Sequence, residues 1–113
     1  MDCLFCKIIA GEVPSTKVYE DEYVYAFLDI SPQAPEHVVI VPKEHIASAN
    51  EINADNSAIV SKIFEPVPKK AKELGIAEDV YLFVNNCGVI GGQTVGHLHF
   101  HLLGGRNLGW PPG

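Results

Sequence analysis

A chain of 113 residues, 47% hydrophobic and 19% charged, is long enough to bury one core and too short for two ordinary domains, so a single domain over residues 1–113 is expected. Eight Lys plus Arg against 14 Asp plus Glu leave a net charge of -6, which excludes tracking polymeric nucleic acid by charge alone. No apolar run approaches a membrane span, and MDCLFCKIIAGEVPS has acid and lysine among its apolar residues where a signal peptide needs an unbroken core. A soluble, cytoplasmic protein with no membrane partner is therefore expected.

In chain order, CLFCKIIAG reads as a short helix stopped by Gly11. KVYEDEYVYAFLD reads as a hairpin, with Glu20, Asp21 and Glu22 at its turn. HVVIVPKEH is a buried strand ended by Pro42. Residues 56–74 have a helical pattern with Gly75 as C-cap, and Pro66 and Pro68 predict a kink or break between Phe64 and Val67 because each lacks a backbone donor and crowds the preceding turn. DVYLFVN and HLHFHLL supply two further strands. The short connections suit an α+β fold, an antiparallel sheet of about five strands with two main helices on one side.

HLHFHLLGGR carries three of the chain's five histidines at every second position. On a strand, His97, His99 and His101 point one way while Leu98, Phe100 and Leu102 point the other, so one face is core and the other is polar. The outer two histidines lie roughly 13 Å apart at strand rise. Zinc takes nitrogen ligands at about 2.0 to 2.1 Å, so one ion cannot collect all three. An anion lying along the strand fits better, because neighbouring imidazoles can divide the roles of nucleophile and hydrogen-bond donor to a phosphate. The preceding NNCGVIGGQTVG supports a phosphate: Gly91 and Gly92 let backbone N–H groups approach a ligand, with Gln93 and Thr94 beside them. An ordinary turn would look the same at the glycines alone.

Three cysteines argue against a disulfide framework and leave Cys3 and Cys6, a CxxC pair, to metal or redox chemistry. The redox reading is weaker, since the pair does not open the helix of a βαβ unit. Two thiolates do not close a tetrahedral zinc site, so a metal there needs two more ligands. Cys87 has no partner by spacing. The terminal GWPPG offers Trp110 little core of its own, and an aromatic of that size usually finds a buried surface, which points to the active-site rim of a partner protomer; a tail packed on its own protomer is the alternative.

DCLFCKIIAGEVPS, LDISPQAPEHVVIVPKEHI, GGQTVGHLHFHLLGGR and WPPG together resemble the histidine triad superfamily, in particular its nucleotide-binding branch in a bacterial-type form. The resemblance covers nearly the whole chain. It implies a homodimer whose sheet continues from one protomer into its partner, and hydrolysis of purine nucleoside phosphoramidates such as adenosine 5'-monophosphoramidate or AMP-lysine. It makes His99 the nucleophile at the α-phosphorus, forming a nucleotidyl-histidine that water resolves, with His101 on the phosphate and Gly92, Gln93 and Thr94 lining the phosphate and leaving-group side. Asp29 and Ile30 match positions that hold ribose and base, Asn86 matches the asparagine before the glycine turn, and His37 supports the catalytic imidazoles. His45 and His97 match the ligands that complete a structural zinc site with Cys3 and Cys6.

Each role has a plainer alternative. Asp29 before Ser31 and Pro32 could simply form a turn, His37 could be a hydrogen-bonded core histidine, and Thr94 could satisfy a backbone group. The function itself divides between a phosphoramidate hydrolase and a purine nucleotide-binding regulatory or scaffold protein with vestigial catalysis. His99, His101, His37 and Thr94 together supply the groups the chemistry needs and favour the enzyme.

Overall fold

The computed structural model describes residues 3–78 and 80–111. A short helix α1 (Leu4–Ile9) leads into strands β1 (Lys17–Glu20), β2 (Val24–Leu28) and β3 (Glu36–Pro42). A single 3-10 turn (Ala49–Glu51) and helices α2 (Ala58–Phe64) and α3 (Val67–Glu73) follow, then strands β4 (Leu82–Asn85) and β5 (Phe100–Gly104). The strands form one antiparallel sheet in the order β1-β2-β3-β5-β4. Among the described residues no helix is long and apolar enough to cross a membrane.

Local chemistry explains the punctuation. At the β1–β2 turn the Asp21 carboxylate accepts from the Tyr23 and Val24 amides at 2.7 and 2.9 Å, an aspartate turn that fixes the hairpin. The expected helix over 56–74 is broken where the prolines stand: α2 ends at Phe64 and α3 begins at Val67. Pro66 has no N–H to continue the ladder, whereas Pro68 falls in the first turn of α3, where a missing donor costs nothing. Gly75, at φ +78, ends α3 in the left-handed conformation.

The helices lie on both faces of the sheet, a correction to the one-sided arrangement expected from element order. Ile63, Val67 and Ala71 of α2 and α3 pack with Val24, Ala26, Val38, Ile40, Leu98 and Leu102 on one face. Phe5 and Ile8 of α1 pack with Tyr25, Phe27, Val39 and Val41 on the other. The reason lies in β2 and β3, whose successive side chains are apolar on both sides, so each face needs a cover.

The histidine strand is also shorter than expected. β5 begins at Phe100, so of the three histidines only His101 belongs to the ladder. The lead-in is held by other partners: the Leu98 amide donates to the Ile46 carbonyl at 2.6 Å, and the Asn85 side chain donates to the His99 carbonyl at 2.8 Å. Alternation nevertheless survives, with Leu98 and Leu102 in the α2–α3 core and the histidines on the α1 face. β4 likewise starts at Leu82, later than the expected DVYLFVN, of which Asp79 lies outside the described residues.

Leu102 is fully buried in the larger core, between β3 and β4. Leu102→Ala is expected to lower stability by about 2–5 kcal/mol, because methylenes are lost and the packed sheet cannot collapse into the space. Urea denaturation of the two proteins checks this, and a difference under about 1 kcal/mol would contradict such a packed position.

Candidate active site and metal cluster

The α1 face of the sheet carries a cleft of about 280 Å³, walled by Phe5 and Ile8 of α1, Phe27, Asp29, Thr94, His99 and His101. Each imidazole beside it has one ring nitrogen fixed by a neighbour, and that settles what the other can do. His99 Nδ1 lies 2.7 Å from the His97 carbonyl, so Nδ1–H donates there and Nε2 keeps its lone pair. At His37 the order is opposite: the Gln33 amide donates to Nδ1 at 3.1 Å, so the proton sits on Nε2. That Nε2–H donates to His101 Nδ1 at 2.9 Å, and His101 is left with a protonated Nε2. The cleft thus holds one imidazole that can attack and one that can donate.

The register brings the second pair together. His37 stands opposite Leu103 and His101 opposite Val39, so the two rings are diagonal neighbours with centroids 5.1 Å apart. The Asp29 Oδ2 lies 3.5 Å from His37 Nε2 and 3.9 Å from His101 Nδ1. Burial lowers the pKa of His37 and His99 despite the opposing charge of Asp29. For His101, burial followed by the His99 and His37 charges lowers it from 6.5 to about 4. At neutral pH the rings are therefore uncharged, the form a nitrogen nucleophile needs.

A second cluster lies at the inner end of the lead-in. The donor atoms of Cys3, Cys6, His45 and His97 all lie within 4.8 Å of one another. Tetrahedral zinc with S and N ligands has S···N edges of about 3.5 Å and N···N edges of about 3.3 Å. Here Cys3 Sγ and Cys6 Sγ lie 3.3 and 3.6 Å from His97 Nδ1, Cys6 Sγ lies 3.3 Å from His45 Nδ1, and the two Nδ1 atoms are 3.2 Å apart. His97 Nε2–H donates to the Pro42 carbonyl at 2.9 Å, which leaves Nδ1 free to ligate. These four residues fit a zinc ion. Asp29, His37 and His101 form another close group, but the Gln33 amide keeps the proton on His37 Nε2 and leaves that atom no lone pair for a metal.

The remaining sequence-predicted residues divide. Thr94 lines the cleft with His99 and His101, and Ile30 stands almost wholly exposed at its mouth. Asp29 forms the turn, Oδ1 accepting from the Ser31 amide at 2.8 Å, while its Oδ2 faces the histidine pair. Gln93 is committed to backbone, accepting from Gly88 N and donating to the Ala47 and Val95 carbonyls, so its amide braces the turn. Asn86 lines a different cavity, beside His37, His101 and Arg106, and donates to the Gly91 carbonyl at 2.8 Å. Gly91 and Gly92 are required sterically: a Cβ on Gly91 would fall on the Cys87 carbonyl, and Gly92 has φ +90.

Sequence reasoning missed Phe5, and it placed Asn85 only as the other asparagine that could fill the Asn86 position. Asn85 holds the His99 carbonyl, and Phe5 meets the His99 ring edge-on with centroids 4.9 Å apart. Phe5, between two cysteines, gave only a helix signal.

Residues 10–108 match the HIT domain family model. The chain belongs to the HIT family. A purine nucleoside phosphoramidase of Escherichia coli strain K12 is 45% identical over 108 residues, covering 96% of this chain and 91% of that protein. The crystal structure of a HIT family hydrolase from Legionella pneumophila superposes with a TM-score of 0.95 at 50% identity, covering 99% of this chain and all of that one. A HIT family hydrolase from Clostridium thermocellum gives 0.93 at 56% identity, covering 96% of this chain and 94% of that one. The five-stranded antiparallel sheet and its helices are those of the HIT fold.

The lowered histidines give this HIT domain a signed pH response. Between pH 6.5 and about 4 the unfolded chain binds a proton that folded His101 refuses, so its contribution to stability is full above pH 6.5 and is lost as pH falls toward 4; the lowered pKa of His37 acts in the same direction. Thermal midpoints measured across this window should fall, and more shallowly for His101→Gln. Equal slopes for the two proteins would show that His101 is not a source of the effect.

Proposed function

We propose that the protein hydrolyses the P–N bond of purine nucleoside phosphoramidates, such as adenosine 5'-monophosphoramidate or AMP-lysine. The observation that carries this is the opposite hydrogen bonding of two imidazoles on one cleft wall: His99 Nδ1 faces the His97 carbonyl, which bares its Nε2, and His101 Nδ1 faces His37 Nε2, which makes its own Nε2 the donor. The His99 Nε2 lone pair attacks the α-phosphorus while the P–N bond breaks, and the departing amine takes a proton, for which the Thr94 hydroxyl stands on the cleft wall. His101 Nε2–H donates to the phosphoryl oxygen, on which charge builds. Water then attacks the phosphorus of the nucleotidyl-His99, the P–N bond to the imidazole breaks with its electron pair returning to Nε2, a proton of the water restores the Thr94 hydroxyl, and the nucleoside monophosphate leaves. The named activity of the 45% identical Escherichia coli relative supports this substrate class.

His99→Ala is expected to abolish turnover of adenosine 5'-monophosphoramidate while retaining AMP affinity, since the cleft walls at Phe27, Asp29 and Ile30 are untouched. His101→Ala should slow the reaction by about 100-fold or more, the scale of one lost oxyanion donor. Rapid-quench trapping with labelled substrate should place the nucleotidyl group on His99. Normal turnover by His99→Ala, or label on another residue, would overturn the reading.

We also propose that the Cys3, Cys6, His45 and His97 cluster holds one structural zinc per protomer, and that the protein is a homodimer. Zinc would tie α1 to the loop after β3 and the lead-in to β5. For the dimer, the support is Trp110, 87% exposed on the isolated protomer, together with β4, which among the described residues has no strand on its outer side. Elemental analysis of protein purified without chelator should give close to one zinc per chain, and sedimentation should give twice the 12.3 kDa protomer mass. Metal-free protein contradicts the first proposal, and a monomer at micromolar concentration contradicts the second.

A further inference from the structure

One residue joins the metal cluster to the nucleophile. His97 presents Nδ1 to the donors of Cys3, Cys6 and His45, and its own backbone carbonyl receives the Nδ1–H of His99. Its ring has no slack, being fully buried with Nε2 bonded to the Pro42 carbonyl. α1 provides a second path. It is capped by Cys3 and contains Cys6, and between them Phe5 sets its ring edge-on to both His99 and His97, with centroids 4.9 and 6.0 Å away. The four donors come from three separate segments, the N-terminal helix, the loop after β3 and the lead-in to β5, and two of these segments touch the His99 ring.

α1 has only six residues, too few to be stable by its own hydrogen bonds. Its one side-chain cap is the Cys3 sulfur, a weak acceptor, at 3.4 Å from the Cys6 amide. Thiol–imidazole contacts of 3.3 to 3.6 Å and an imidazole–imidazole contact of 3.2 Å link the donors, and His45 is exposed. Four metal–ligand bonds would turn this loose junction into a rigid one.

We infer that the Cys3–Cys6–His45–His97 cluster, when it holds its metal, positions His99 for attack, so that metal occupancy sets the rate of P–N cleavage. This rests on the reading of His99 as nucleophile and of the cluster as a zinc site. His97 is the positioning residue, holding the tautomer of His99 through its carbonyl, and Phe5 holds the plane of the ring. Loss of the metal frees α1 to withdraw Phe5 and lets the His97 carbonyl shift, and misplacement by about 1 Å costs on the order of 100-fold in rate.

The test compares zinc-loaded protein, chelator-stripped protein and the stripped protein reloaded with zinc alone, with folding followed by circular dichroism. His45→Ala weakens the metal site at an exposed position without altering His97, and keeps the comparison valid if the stripped wild type unfolds. Two quantities are read: the single-turnover cleavage rate at saturating substrate, and the ring nitrogen NMR signals of His99. Stripped protein, and His45→Ala at limiting zinc, should cleave at least about tenfold more slowly. The His99 signals should change from one fixed tautomer to an average of two, and zinc should restore both quantities. A folded, metal-free protein with undiminished rate and unchanged His99 signals overturns the inference. Failure of the underlying reading looks different: normal turnover by His99→Ala for the nucleophile, or no zinc uptake on reloading for the metal, and either removes the inference with it.

Discussion

A neutral imidazole has one proton and one lone pair, and in this fold a main-chain group decides where the proton of each buried histidine resides. The carbonyl of His97 makes His99 a base at its outer nitrogen, and the carbonyl of Pro42 makes His97 a base at its inner one. The amide of Gln33 does the reverse at His37, and the effect passes on to His101. Four chemically identical side chains thereby acquire distinct roles, with the Asp29 carboxylate facing two of them, His37 and His101. The sheet is needed because only fixed strands can hold these main-chain groups within hydrogen-bond reach, and two cores, one on each face, hold the strands.

Much of this was legible in the sequence, for reasons that differ by region. Period-2 spacing of His97, His99 and His101 against Leu98, Phe100 and Leu102 correctly separates a polar face from a core face, because alternation persists even where the ladder has not begun. Pro66 breaks the long helix where its missing donor requires. The extent of β5 was not legible, since β propensity does not reveal that Ile46 and Asn85 take over the hydrogen bonds of the lead-in. Nor was the second helix-covered face, which depends on reading VYAF and VVIV as apolar on both sides of a strand at once.

At the site, identities were easier to read than directions. Thr94, His37 and Asp29 lie close to the two cleft histidines. Gln93 and Asn86 have residue types suited to a phosphate, yet both spend their amides on the turn between β4 and the lead-in. An amide side chain near a glycine pair can serve a ligand or the backbone with equal ease, and only the fold reveals which groups are already satisfied.

That turn has a consequence for engineering. Its shape is maintained from within by Gln93 and Asn86 and by two glycines that admit no side chain, while Val89 and Ile90 at the tip stand essentially free of the rest of the protomer. The tip is thus a cassette whose wording is separable from its frame. A fluorophore or a short recognition peptide grafted at those two positions would sit beside Gln93 and Thr94, where the protomer packs no side chain against the residues it replaces.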